Sequence, residues 1–214
     1  MSVVTTALAA AGAVGWSGQA AWMRHRLHAA HRDPLTRLWT RETFTARARR
    51  LLRKEGAVVL LVDMDGFKDL NDTHGHAAGD TVLMTAAQRL STWCAVLNGV
   101  AGRLGGDEFA AIITPQVPGD LPFDLHNIHQ ALTEPVPYER EELPVGASLG
   151  ACPREDIPEA RFDLALRRAD EAMYRAKRSG GGWFIADGPM AATVNGRRAG
   201  RPGTHDTRHV EGGA

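Results

Sequence analysis

The chain has 214 residues, 25 basic and 25 acidic side chains and a formal net charge of zero, which excludes a strongly basic, nucleic-acid-coating protein. Its length allows one or two domains with a real buried core. The two cysteines, Cys94 and Cys152, have neither metal-ligand spacing nor the density of a disulfide framework, so a reducing compartment is the default.

Residues 1–23 hold no charged side chain, and Arg24 and Arg26 follow. That length suits a membrane span, and the arginines would keep their side in the cytoplasm. Residues 3–23 therefore read as a membrane anchor. The abundance of Ala, Gly, Ser and Thr keeps a second reading open, a small-residue helix packed on another helix. Residues 24–32 form a basic linker and 33–188 the globular domain. Residues 189–214, rich in Gly, Arg and Thr without periodicity, are expected to be a disordered tail. The basic residues are nearly all arginine, with only Lys54, Lys68 and Lys177 as lysines, so arginine richness by itself carries no function.

Within the domain, Thr40 is placed to cap a helix running to about Leu52, with Phe44, Ala48, Leu51 and Leu52 inward. The run AVVLLVD (57–63) is short, apolar and β-branched, a central buried strand. GDTVLMTAAQRLSTWC predicts a helix with Val82, Leu83, Ala86, Leu90 and Trp93 on one face. VAGRL and EFAAII flank Gly105-Gly106 as a hairpin. A short helix near 124–133 is predicted beyond Pro118 and Pro122, then a strand in PVGASLGAC. A strongly periodic helix follows in FDLALRRADEAMYRAKR, with Ala165, Leu166, Ala169, Ala172, Met173 and Ala176 at helical spacing, and a last strand in GWFIAD. The order β-α-β-β-α-β followed by α-β implies an α+β, ferredoxin-like sheet with helices on one face.

Carboxylates stand where apolar strands end. Asp63 closes the first strand, and Asp107 and Glu108 follow the two glycines directly. If the strands are neighbours, these acids approach one another, and a hard divalent cation such as Mg²⁺ is what holds such charges together. Gly66 permits a tight loop whose N–H groups can face an anion, and Lys68 adds a point charge. Asn71 and Asp80 have two readings. They are a turn residue and a helix-start charge, or a pair able to hydrogen-bond a guanine edge.

Five segments, RDPLTRLWTRETF, LVDMDGFKDLNDTHGHAAGD, GRLGGDEFAAI, GASLGA and ADEAMYRAKRSG, together resemble the GGDEF domains of diguanylate cyclases over residues 33–184. The resemblance implies the nucleotidyl-cyclase palm fold with an extra C-terminal helix and strand. It implies Mg²⁺, or Mn²⁺ in its place, on Asp63, the Met64 carbonyl, Asp107 and Glu108, with Asp107 and Glu108 catalytic. It implies phosphate contacts from Gly66, Phe67, Lys68 and Lys177, guanine contacts from Asn71 and Asp80, and room for the α-phosphate at Gly105 and Gly106. The implied reaction joins two GTP into cyclic di-GMP in a homodimer, with no nucleic-acid partner.

Two departures stand out. The inhibitory RxxD stretch of many members reads Val96-Leu-Asn-Gly99 here, and the Gly-Arg-Asn after the last helix reads Gly180-Gly181-Gly182. They keep a second reading open, a GGDEF fold that binds GTP as a regulatory ligand. Arg178 is a candidate substitute for the missing arginine. His74 and His76 fit a packing role better than a metal pair.

Overall fold

The computed structural model describes residues 31–117 and 119–187 and two short paired strands, Thr193–Val194 and Arg197–Arg198. The expected anchor (3–23), most of the basic linker and the remainder of the expected tail lie outside the described residues. Among the described residues, no helix is long and apolar enough to cross a membrane.

The chain builds β1 (Trp39–Thr40), α1 (Arg41–Leu51), β2 (Val58–Asp65), α2 (Phe67–His74), α3 (His76–Val96), β3 (Val100–Gly105) and β4 (Glu108–Ile113). Then come α4 (Leu121–Thr133), β5 (Val136–Tyr138), β6 (Glu141–Leu143), β7 (Gly146–Pro153), α5 (Phe162–Arg178) and β8 (Gly182–Ile185). The main sheet has six strands in the order β1-β3-β4-β2-β7-β8. β2 is antiparallel to both its neighbours, β4 and β7, and β3 and β4 form the expected hairpin with an irregularity between Arg103 and Gly105.

The periodicities hold. Phe44 and Ala48 of α1, the predicted face of α3 through Leu90, and the alanines of α5 with Met173 are buried, while Trp93 and Leu166 are partly so. Thr40 is the N-cap of α1 by position, but its hydroxyl bonds Thr43 Oγ1 at 3.2 Å rather than a helix N–H. α4 begins three residues earlier than predicted, because Pro122 falls in its first turn, where no N–H partner is needed. Two arginines of the basic stretch are not simply solvated. The Arg32 and Arg47 guanidinium carbons lie 3.3 and 3.7 Å from the Trp39 ring centroid.

One expectation is corrected. Helices cover both faces of the sheet. Val58, Leu60, Val62 and Met64 of β2 pack with α3 and α4, whereas Val59 and Leu61 pack with α1 and α5. A strand apolar at every position from Val58 to Val62 needs cover on both sides, and α1 with α5 supplies the second layer.

The closest approach in that layer is at Gly150 of β7, where a Cβ would lie 1.9 Å from the Ala169 carbonyl oxygen and 2.3 Å from the Met173 nitrogen. Both neighbours are helix backbone and cannot swing aside. Gly150→Ala is expected to cost about 3 kcal/mol of stability, measured as a lower urea midpoint.

Candidate functional site

β2 carries Asp63 to the rim of the sheet, where Asp63 pairs in register with Glu108 of β4 and with Ser148 of β7. The Met64 N–H donates to the Asp107 carbonyl at 3.3 Å, tying the end of β2 to the hairpin turn. Strand alternation turns the Asp63 side chain toward α5, from which Lys177 reaches it. Lys177 Nζ lies 2.5 Å from Asp63 Oδ1. That contact makes Lys177 the counter-ion of this buried oxygen. Burial pushes the Asp63 carboxyl above its ordinary value; Lys177 pulls the other way, and the neighbouring charges of Asp107 and Glu108 raise it again.

These observations fit a hard cation. The donors are all oxygens, the like charges of Asp107 and Glu108 act on Asp63, and a cationic ammonium already rests on it. Among the described residues no three Asp, Glu, His or Cys side chains form a ready cage. Asp65, on the same strand face, is turned elsewhere. The Ser148 hydroxyl, fully buried, donates to both of its carboxylate oxygens at 2.8 and 3.0 Å. Of the two aspartates in Asp63-Met64-Asp65, Asp63 is the one left for a cation.

After Asp65 the chain turns through Gly66, whose φ of 65° is left-handed and favours glycine, straight into α2. The short helix α2 was not predicted; the expected phosphate loop is its N-terminus, with Phe67 and Lys68 in the first turn and Asn71 in the second. The Lys68 ammonium is exposed and paired with Asp72 at 2.5 Å, an exposed link that costs little to exchange for a phosphate. Asp80 is exposed on α3, one residue after Gly79, against which Asn71 packs. His74 ends α2 with Nδ1 3.3 Å from Glu141 Oε1 of β6, the structural role expected of it.

The signature turn itself is open. Gly105 and Gly106 have φ of 142° and 54°, and a Cβ on either would meet nothing within 4 Å. What fixes the turn is Arg103, which the sequence reading did not place in the site. Its guanidinium donates to the Gly106 carbonyl from Nε and NH2 at 3.0 and 2.7 Å, and from NH1 to Asp33 Oδ1 at 3.1 Å. The same Asp33 oxygen accepts the Thr36 N–H and hydroxyl at 2.8 and 2.7 Å. The only sequence signal was an arginine in a short strand beside two glycines.

Both departures have structural counterparts. A Cβ at Gly99, the last residue of the altered RxxD stretch, would lie 2.1 Å from the Ile112 carbonyl oxygen, so no carboxylate fits there on this backbone. At Gly181 φ is 103°, and a Cβ would lie 3.2 Å from Asp65 Oδ2.

A sequence profile described as "Diguanylate cyclase, GGDEF domain" matches residues 30–182. This chain belongs to the GGDEF-domain family. The GGDEF domain is 48% identical over 166 residues to an uncharacterized 19.3 kDa protein of Streptomyces ambofaciens, covering 77% of this chain and 87% of that one. It is 39% identical over 166 residues to the diguanylate cyclase TpbB of Pseudomonas aeruginosa, covering 72% of this chain but only 37% of TpbB. The solved structure of the isolated TpbB GGDEF domain has a TM-score of 0.64 and 32% identity, covering 73% of this chain and 95% of that chain.

The Asp33 clasp has a pH signature. Burial alone would raise its carboxyl, but the Thr36 bonds and Arg103 outweigh burial and hold it below the ordinary 3.8. A depressed acid stabilises the fold above its unfolded value and loses that contribution as pH falls through the folded one. Asp33→Asn is expected to lack this part of the stability lost as pH falls below about 3.8, read by comparing urea midpoints of the two chains.

Proposed function

We propose that this GGDEF domain condenses two GTP into cyclic di-GMP and two pyrophosphates, each GTP held by one of two copies of the chain. The observation that carries this reading is the buried Asp63 carboxylate, in register with Glu108, beside an open Gly-Gly turn and already drawing the Lys177 ammonium onto it. TpbB, with which the domain shares 39% identity, is named a diguanylate cyclase.

In this reading Asp63, the Met64 carbonyl, Asp107 and Glu108 hold Mg²⁺, with Mn²⁺ able to replace it. Bound there, the ion would neutralise phosphate charge and lower the pKa of an attacking hydroxyl. The chain's own groups do the rest. The N-terminus of α2, with Lys68, binds the terminal phosphates. Lys177, which rests on Asp63, would supply a positive charge for a phosphate. The bare Gly105-Gly106 turn admits the α-phosphate. Asp80 accepts from the guanine N1–H and N2–H, and Asn71 donates to a purine acceptor. The 3′-hydroxyl of one GTP forms a bond to the α-phosphorus of the other, the α–β phosphoanhydride bond breaks, pyrophosphate leaves, and the hydroxyl proton passes to Asp107 or Glu108. Because each copy holds one nucleotide, a homodimer completes the site. The domain faces the cytoplasm, and residues 3–23 are the segment to test for anchoring.

The glycine at 181 favours a second reading, in which GTP is bound as a regulatory ligand without turnover. Purified chain incubated with GTP and Mg²⁺ at several protein concentrations separates the two. Cyclic di-GMP, detected by chromatography with mass detection, is expected to rise more than linearly with protein. Asp107→Ala and Glu108→Ala should each lower it by about a hundredfold or more while leaving thermal unfolding nearly unchanged. GTP bound with no product at any concentration would move the assignment to the second reading.

A further inference from the structure

Gly66, Phe67, Lys68 and Asn71 lie on α2 or at its start, yet no residue of α2 is fully buried. Phe67 and Leu70 are only partly buried against the core. The helix docks on α3, and at the contact stands Gly79, itself buried. A Cβ at Gly79 would lie 2.0 Å from Asn71 Oδ1, 2.9 Å from Asn71 Cγ and 3.1 Å from Phe67 Cζ. Phe67 and Asn71 are one turn apart on the same face of α2, so the face of α2 that meets α3 rests on this bare spot. Gly79 sits inside α3, where alanine would be the better helix former. What the position uses is the absence of a side chain.

The seat also orients the Asn71 amide. Its Nδ2 donates to the Phe67 carbonyl at 3.1 Å, and Oδ1 faces Gly79. Flipping the amide would set its oxygen against the Phe67 carbonyl oxygen, so the orientation is determined by the network. One amide N–H is used, Oδ1 is turned into the helix contact, and one N–H remains to donate. Asp80, the next residue after Gly79, is exposed and offers acceptors only when ionised. A donor with a neighbouring carboxylate suits guanine, which presents O6 as acceptor and N1–H and N2–H as donors. Adenine has a donor at position 6 and no N1–H.

We infer that Gly79 is a positioning residue for guanine selection, its missing side chain forming the seat that docks α2 and presents the Asn71 amide as a donor alongside Asp80. The inference rests on the guanine-reading role proposed above.

The test uses the full chain and its Gly79→Ala, Asn71→Ala and double variants. Equilibrium binding of GTP and of ATP is measured with Mg²⁺, and Tm without nucleotide. Gly79→Ala is expected to weaken GTP binding by about tenfold, the loss of roughly one hydrogen bond, to weaken ATP binding less, so that selectivity for GTP falls, and to lower Tm although alanine favours helix. In the Asn71→Ala background the same substitution should cost no further GTP affinity and should leave Tm equal or higher, because the amide it collides with is gone. Should Gly79→Ala alone not fold, the double variant and a Gly79→Ala/Phe67→Leu pair still report relief of the collision. Wild-type GTP affinity in Gly79→Ala, or losses that multiply in the double variant, would overturn the proposal. If Asn71→Ala itself leaves selectivity over ATP intact while Tm follows the expected pattern, the guanine-reading role is overturned and the packing seat alone survives.

Discussion

Everything at the functional end of this molecule hangs on the register of β2. The strand is hydrogen-bonded along both edges, and its side chains are divided between two helix layers. A slip of one residue would send Val58, Leu60, Val62 and Met64 to the wrong layer. It would also turn Asp63 away from Lys177 and out of line with Glu108. The apolar residues of β2 thus do chemical work at a distance. By choosing which face each side chain meets, they decide that a carboxylate, and not the Met64 side chain, meets Lys177 at the end of α5.

The electrostatics around that carboxylate combine opposing pressures. Burial and two neighbouring acids disfavour its charge, and one ammonium on a flexible stem favours it. The site therefore rests with an internal counter-ion. Arg103 plays the corresponding part for the signature turn. It spans from the Gly106 carbonyl to Asp33, so the turn at Asp33 and the glycine pair share one guanidinium.

Much of this was legible in the sequence, for identifiable reasons. Long periodic helices such as α3 and α5 announce their buried faces, and Gly105-Gly106 between two apolar runs announces a hairpin. The second helix layer was implicit in the unbroken apolar run Val58 to Val62, though alternation between faces cannot be seen when both faces are apolar. The β5–β6 hairpin was missed because strands of three residues containing Pro137 and several glutamates carry no period. α2 was missed for a similar reason. With Phe67 and Leu70 as its only large apolar residues, it has no stripe to detect. The positions of Asp63, Asp107 and Glu108 could be read as a cluster from strand ends, but the roles of Asn71, Asp80 and Lys177 came from resemblance. Arg103 and Gly79 act through contacts with residues distant from them in the chain or on another helix, which a sequence does not display.

The thin burial of α2 has an energetic consequence. A segment held by two partly buried apolar side chains and bounded by Gly66 and Gly75 belongs to the low end of the stability range within a domain, where local opening costs far less than global unfolding. The sheet behind it is the opposite, with β2 sealed on both edges and both faces. The molecule therefore pairs a rigid rim, which holds charge in place, with a loosely tethered helix, whose ordering is charged against any ligand it grips. Affinity at such a site reports the work of stilling the helix as much as the contacts themselves.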